Sequence, residues 1–182
     1  MHSDDNIRKA INRWLDDVVV GLNFCPFAKK EIVSQRVRTA LVKMTGTKDV
    51  LHALLEEIYL LDNDPQIATS LLVLCEGFDY FDDYLDVLSI AEQLLEQSGY
   101  RGVYQLASFH PDYVFADCDE DDAANYTNRA PYPILHVLRE RQLSDVLDRY
   151  LEPERIPETN IKKARELGAQ HLQTLLRACF DD

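Results

Sequence analysis

Residues 67–75 read IATSLLVLC, a nearly continuous apolar run held between two amphipathic stretches, and this arrangement constrains the fold more than any other feature of the chain. A short apolar run bounded by turn residues reads as a strand covered on both faces. The stretch before it carries Val50, Leu51, Leu54, Leu55, Ile58 and Leu61 at helical spacing, with Thr47 as a capping residue and the sequence DNDP as its end. The stretch after it, Phe81 to Gln97, places Tyr84, Leu85, Leu88, Ile90, Ala91, Leu94 and Leu95 in the same way and stops at Gly99.

Alternating segments at 36–42 and an extended segment at 102–109 complete a strand, helix, strand, helix, strand order with short turns. Such an order is the signature of consecutive crossovers, which bring strands parallel with helices packed on the sheet. Ahead of it, Ser3 caps a first helix whose stripe is Ile7, Ile11, Trp14, Leu15, Val18, Val19 and Leu22 and which ends near Gly21. Beyond it, residues 119–130 read as a short helix, Pro131 and Pro133 force extended backbone, and Ile134 to Arg139 reads as a fourth strand. Two helices, at 143–151 and 160–179, follow.

The expected architecture is therefore α/β: a mixed, mostly parallel sheet of about four strands with helices packed on it, and two C-terminal helices. A two-layer α+β sandwich of ferredoxin-like type is the alternative. With 182 residues the chain suits a single domain, 1–140 forming the core and 141–182 a helical extension.

The net charge of −13 is unevenly distributed. Between Asp62 and Asp122 the only lysine or arginine is Arg101. A field of that sign repels phosphate backbones and anionic membranes, so neither nucleic acid nor membrane is expected as a partner. It suits a basic partner or a cation, or it forms a solvated face. The longest apolar runs, Leu71 to Leu74 and Val18 to Val20, are far short of a bilayer span. The polar N-terminus does not read as a secretory signal, and a cytoplasmic location is expected. Four cysteines, Cys25, Cys75, Cys118 and Cys179, share no paired spacing and are expected as free thiols.

The segment from Phe109 to Glu140, FHPDYVFADCDEDDAANYTNRAPYPILHVLRE, gathers polar groups of several kinds. The pieces GLNFCPFA, ASFHPDYVFA, DDAANYTNRAPYP and ILHVLRE, in this order, resemble a bacterial family catalogued as domain of unknown function 1415, with NRAPYP the most specific piece. The resemblance covers nearly the whole chain up to Glu140. It implies no activity, and the chain departs from the family's pattern at Asp117 and Cys118, where a glycine-like turn is usual.

Within the segment, His110 closes the third strand at its C-terminal end, where parallel sheets place ligand crevices, and is a candidate acid/base. It can equally shape a turn. Arg129 could present its planar fork to an anionic small molecule, with Asn125 and Tyr126 beside it on the short helix; an ion pair with Asp121 or Asp122 is the other reading. His136 lies among apolar strand residues and reads as a buried histidine or a ligand contact. Cys25 precedes a helical turn begun by Pro26, a setting that favours thiolate, although no resolving cysteine lies near. Asp119 is a candidate assisting carboxylate.

The run Asp117, Asp119, Asp121 has the first ligand spacings of a calcium loop, but Asp122 stands where its glycine is needed and Asn128 where its glutamate is needed. Asp119 or Asp121 is therefore read as capping the short helix, with a weak divalent site as the other reading, and no metal ligand is assigned. No nucleotide, dinucleotide, zinc or nucleophile-elbow motif occurs, so no cofactor is assigned. A small-molecule enzyme or binding protein, a non-catalytic acidic interaction protein and a monothiol redox protein using Cys25 are the three functional readings.

Overall fold

The computed structural model describes residues 3–147 and 152–181. Helix α1 spans Asp4–Arg13, and its first turn is closed by the Ser3 hydroxyl, which accepts from the Asn6 N–H at 3.3 Å. The helix continues as a π-helical stretch, Trp14–Val20. There the wider turn directs Gly21 N–H to the Asp16 carbonyl at 2.8 Å. The chain then reverses, because Val19 O accepts from both Phe24 N–H (2.9 Å) and Cys25 N–H (3.4 Å). Helix α2 (Ala28–Val33) leads into β1 (Val37–Val42).

Next come α3 (Thr47–Asn63), β2 (Thr69–Leu74), α4 (Phe81–Gln97) and β3 (Tyr104–Phe109). A 3-10 helix at Ala123–Thr127 precedes β4 (Ile134–Arg139), and α5 (Glu140–Leu147) follows directly. After a 3-10 turn at Pro153–Arg155 come α6 (Ile156–Leu167) and α7 (Ala169–Ala178). The helix expected at 160–179 is thus two helices, broken at Gly168, whose φ of 80° with ψ of 148° is open to glycine alone. Of the helix expected at 143–151, residues 148–151 lie outside the described residues. Thr47 is the first helical residue rather than the cap; Gly46 is the cap and offers no side chain.

The sheet has the order β1-β2-β4-β3. β1 and β2 are parallel, and β4 runs antiparallel between β2 and β3. β3 therefore points the same way as β1 and β2, in accord with two successive crossovers, and the return strand fills the gap the second crossover leaves. This is a mixed α/β sheet with helices on both of its faces. The two-layer alternative is thereby excluded.

Every residue of β2 is buried. Its side chains alternate between the two faces, as strand geometry requires. Leu72 and Leu74 pack with α3 and α4 through Val50, Leu54, Ile58, Tyr84, Val87 and Ala91. Leu71 and Val73 pack with Ile11, Trp14, Val18, Ala164 and Leu172 of the N- and C-terminal helices. Each leucine or isoleucine fully buried in this way contributes about 1.5–3 kcal/mol.

Two polar devices sit in the α3 side. Glu57 occupies a position on the apolar stripe of α3 and is 6% exposed. Its carboxylate accepts from Arg38 Nε at 2.9 and 3.1 Å and from the Ser70 hydroxyl at 2.5 Å, tying α3 to both β1 and β2. Arg139 reaches from β4 to the carbonyls that end α3, donating to Leu61 O, Ile67 O (3.2 Å) and Asp64 O (3.3 Å). Its Nη1 donates to the Tyr104 hydroxyl at 3.1 Å, which in turn donates to Asp62 at 2.7 Å. A guanidinium on the last carbonyls of a helix satisfies acceptors the helix itself cannot.

Candidate functional site

His110 follows the last residue of β3 and is fully buried. Its Nδ1 accepts from the Asp112 N–H at 3.0 Å, so the ring proton is on Nε2, which donates to Phe78 O at 2.9 Å. Both ring nitrogens are thus engaged by main chain. Phe81 and Tyr84 pack on the ring at centroid distances of 5.2 and 5.3 Å, and burial holds its pKa below the ordinary histidine value. The imidazole stays neutral and joins the β2–α4 connection to the His-Pro turn.

Beside it the Tyr84 hydroxyl sits between β3 and β4. It accepts from Phe109 N–H at 3.2 Å and donates to Ile134 O at 2.7 Å, bridging the point where the two strands part. Burial raises the pKa of this phenol, which keeps its proton for the bridge.

The loop from Pro111 to Asn128 is organised by Asn125, which is also fully buried. Its Oδ1 accepts from Phe115 N–H at 3.0 Å, and its Nδ2 donates to Asp119 O at 2.8 Å and Glu120 O at 3.3 Å. Arg129 completes the frame: Nε donates to Tyr113 O at 3.1 Å, Nη2 donates to Glu120 O at 3.0 Å, and the guanidinium lies 4.5 Å from the centre of the Tyr126 ring. The ion pair considered for Arg129 is absent; its partners are carbonyls.

Asp122, not Asp119 or Asp121, caps the 3-10 helix, accepting from Ala124 N–H at 2.8 Å. The short helix is accordingly shorter than the expected 119–130, because Asp119 and Glu120 belong to the loop that Asn125 holds. Arg165 of α6 grips the Asp122 carboxylate at 2.7 and 3.1 Å and lowers its pKa to about 2. Asn128 runs along the outer side of β3: its Nδ2 donates to Ser108 O at 3.1 Å and its O accepts from His110 N–H at 3.2 Å. Trp14 closes the assembly from below, donating to Arg129 O at 3.1 Å and meeting Phe109 edge-on at 5.1 Å.

His136 pairs with Ala107 across the β3–β4 ladder and stands 6.2 Å, ring to ring, from Phe109. Its Nε2 lies 2.7 Å from the Thr69 hydroxyl, and that hydroxyl donates to Val137 O at 2.6 Å, so the histidine is the donor between them. Burial pushes its pKa down to about 4. Cys25 is half-buried in the turn after the π-helical stretch, just ahead of α2, and Asn160 of α6 donates to the neighbouring Phe24 O at 2.6 Å. Asp119 is exposed, with its main-chain oxygen on Asn125.

The structure brings His110, Asn125, Tyr126 and Arg129 together in one folded loop, with His136 on the adjoining strand. Cys25 sits at a separate turn. All four cysteines are free, as expected. Among the described residues no group of three or more histidine, cysteine, aspartate or glutamate side chains is placed to hold a metal ion. Within the loop, no buried side-chain nitrogen or oxygen lacks a partner among the described residues.

The pieces ASFHPDYVFA, DDAANYTNRAPYP and ILHVLRE are thus the parts that form this loop and the strands beneath it, while GLNFCPFA forms the separate turn ahead of α2. A family model described as "Protein of unknown function (DUF1415)" matches residues 6–174. The chain belongs to this family. No curated protein and no solved structure matches it.

Outside the predicted segment, this DUF1415 chain has polar groups that a motif search passes over. Glu57 could have been found, since it interrupts the core-facing stripe formed by Val50, Leu54 and Leu61. Tyr84 could not, because a tyrosine on a core stripe gives no sign that its hydroxyl will bridge two strands. The acidic surface also gains definition. Asp79, Asp82, Asp83 and Asp86 line the start and outer face of α4, and Asp112, Asp117, Asp119, Glu120 and Asp121 line the loop; all are exposed. None forms an ion pair among the described residues. Tyr80, 77% exposed, stands among them.

Proposed function

We propose that this protein is a non-catalytic interaction module that presents the acidic surface of α4 and the 110–121 loop to a basic partner. The observation that carries this reading is the union of two separate carboxylate-bearing segments, 79–86 and 112–121, on either side of the buried His110 hub. Asp79 and Asp112 both lie close enough to act on the His110 ring electrostatically. A frame of internally paired groups holds the charges in place, so a partner meets a preformed surface rather than a loop that must be ordered. Tyr80 supplies an exposed aromatic contact of the kind that anchors interfaces.

A small-molecule enzyme or binding protein using the 108–140 segment would need His110 to leave Phe78 O and Asp112 N, and Arg129 to leave Tyr113 O and Glu120 O. Those bonds favour the interaction reading. The experiment compares two neutralised variants with the same change in net charge. One carries Asp79→Asn, Asp82→Asn, Asp83→Asn and Asp112→Asn; the other carries Asp5→Asn, Glu154→Gln, Glu158→Gln and Glu166→Gln.

Binding of a fluorescein-labelled peptide of alternating arginine and serine is read by anisotropy over a range of salt concentrations. The first variant is expected to lose about tenfold in affinity at low salt and the second far less. Equal losses would show that net charge alone attracts the peptide and would overturn the proposal. So would a small anionic molecule that co-purifies stoichiometrically and is lost on Arg129→Gln.

A further inference from the structure

The two outer strands of the sheet are β1 and β3. At the end of β3, Asn128 takes the outward Ser108 O and His110 N–H. The edge at β1 is different. Arg36 O accepts from Ala68 N–H and Val42 O from Cys75 N–H, so the even-numbered residues turn their main-chain groups toward β2. The odd ones, Val37, Thr39 and Leu41, therefore turn theirs outward. Among the described residues a single group reaches this side: Arg8 Nη1, which donates to Thr39 O at 2.7 Å.

Along the same side runs a cavity of about 570 Å³ lined by every residue from Arg38 to Lys43, with Asp4 and Arg8 of α1 on one flank and Ala53, Glu56 and Glu57 of α3 on the other. The two helices lie on opposite faces of the sheet, so the cavity is a slot bounded above and below with the strand as its floor. Six residues of strand span roughly 20 Å, the length of a short extended peptide.

We propose that this slot is a docking site for an extended segment of a partner protein. The segment adds a strand to β1 through the outward main-chain groups of Val37, Thr39 and Leu41 and sets an acidic side chain against Arg8. Charge selects the occupant. Lys43 is paired with Asp4 and Arg38 with Glu57, whereas Arg8 has no carboxylate partner within salt-bridge distance among the described residues. An incoming carboxylate gives it one and draws the guanidinium off Thr39 O, which frees that carbonyl for the new strand. Guarding of an outer strand by a cation accounts for Arg8 alone, not for the strand-wide space beside it. A second copy of this chain fits poorly: a two-fold axis at Thr39 sets two Arg8 side chains together and joins two bodies of net charge −13. This site is independent of the acidic surface.

The test uses the full chain and a set of capped heptapeptides of alternating valine and threonine, each with one aspartate at a different position. N-methylated versions lack the alternate amide protons. Amide exchange followed by NMR is expected to slow by about tenfold at Thr39 and Leu41 with at least one parent peptide and to stay unchanged with its N-methylated form. Arg8→Glu is expected to weaken binding of that peptide by about tenfold, with Lys30→Ala as a silent control. The inference fails if no peptide protects these amides, if methylated and parent peptides bind alike, or if the amides become protected on raising the protein concentration alone.

Discussion

The two edges of the sheet are finished in opposite ways. At the end of β3, the chain returns on itself, and Asn128, in the loop that Asn125 holds, takes up the outward Ser108 O and His110 N–H. At β1, one arginine reaches one carbonyl and the rest of the strand borders a slot. Buried polar side chains serve both sides, since Glu57 and Ser70 join α3 to β1 and β2. His110 and Asn125, both fully buried, serve the closed edge. Residues that look like reacting groups in sequence are thereby the fasteners of a structure, and β1, where one outward carbonyl has a partner, is the edge with room for another strand.

Four measurements can break or sharpen this contrast. The largest effect is expected for Asn125→Ala, which removes the partner of Phe115 N–H and of Asp119 O in a part-buried place and leaves Glu120 O to Arg129 alone. Urea denaturation should report a loss of about 3 kcal/mol, and the melting temperature should fall by roughly 6–12 °C. A change under 1 kcal/mol would mean that the loop does not depend on its central residue.

Acid comes second. The folded pKa of His136, about 4, lies below the unfolded value, so the unfolded chain binds the extra proton first as the pH falls. Stability should therefore decline from about pH 6.5 and level off, for this group, below pH 4, with a total on the order of 3 kcal/mol. His136→Gln should flatten that part of the profile. A slope unchanged in this variant would place the proton elsewhere, with His110 the next group to examine, since burial lowers its pKa as well.

Tyr84→Phe is expected to cost about 1–2 kcal/mol by removing the bridge between Phe109 N–H and Ile134 O while keeping the ring in the core. Its signature is faster amide exchange at Phe109. Arg8→Ala should change stability by less than about 0.5 kcal/mol, because the group is on the surface and the edge is open on either side of it. A cost comparable to that of Tyr84→Phe would make β1 a closed edge and erase the contrast.

Much of the framework was legible in the residues. Phe81–Gln97 and Ile134–Arg139 match the expected helix and strand end to end, and the apolar run at 67–75 contains β2. Periodicity reports such elements because a repeating apolar face has a single way to be buried. The candidate site was legible only as a neighbourhood. His110, Asn125, Tyr126 and Arg129 do share one loop, but the same residue types serve equally to bind a ligand or to satisfy main chain. Which of the two they do depends on whether carbonyls and N–H groups from distant segments arrive within reach.

The sequence by itself determined the α/β class, the order of the elements and the concentration of negative charge between Asp62 and Asp122. Local spacing and composition carry all three. Only the tertiary structure decided that β4 inserts between β2 and β3, that Arg129 holds carbonyls rather than acids, and that β1 keeps an open flank. Those outcomes rest on hydrogen bonds between residues far apart in the chain, such as Trp14 with Arg129 and Asp122 with Arg165. No local pattern encodes a partner that only chain folding brings near.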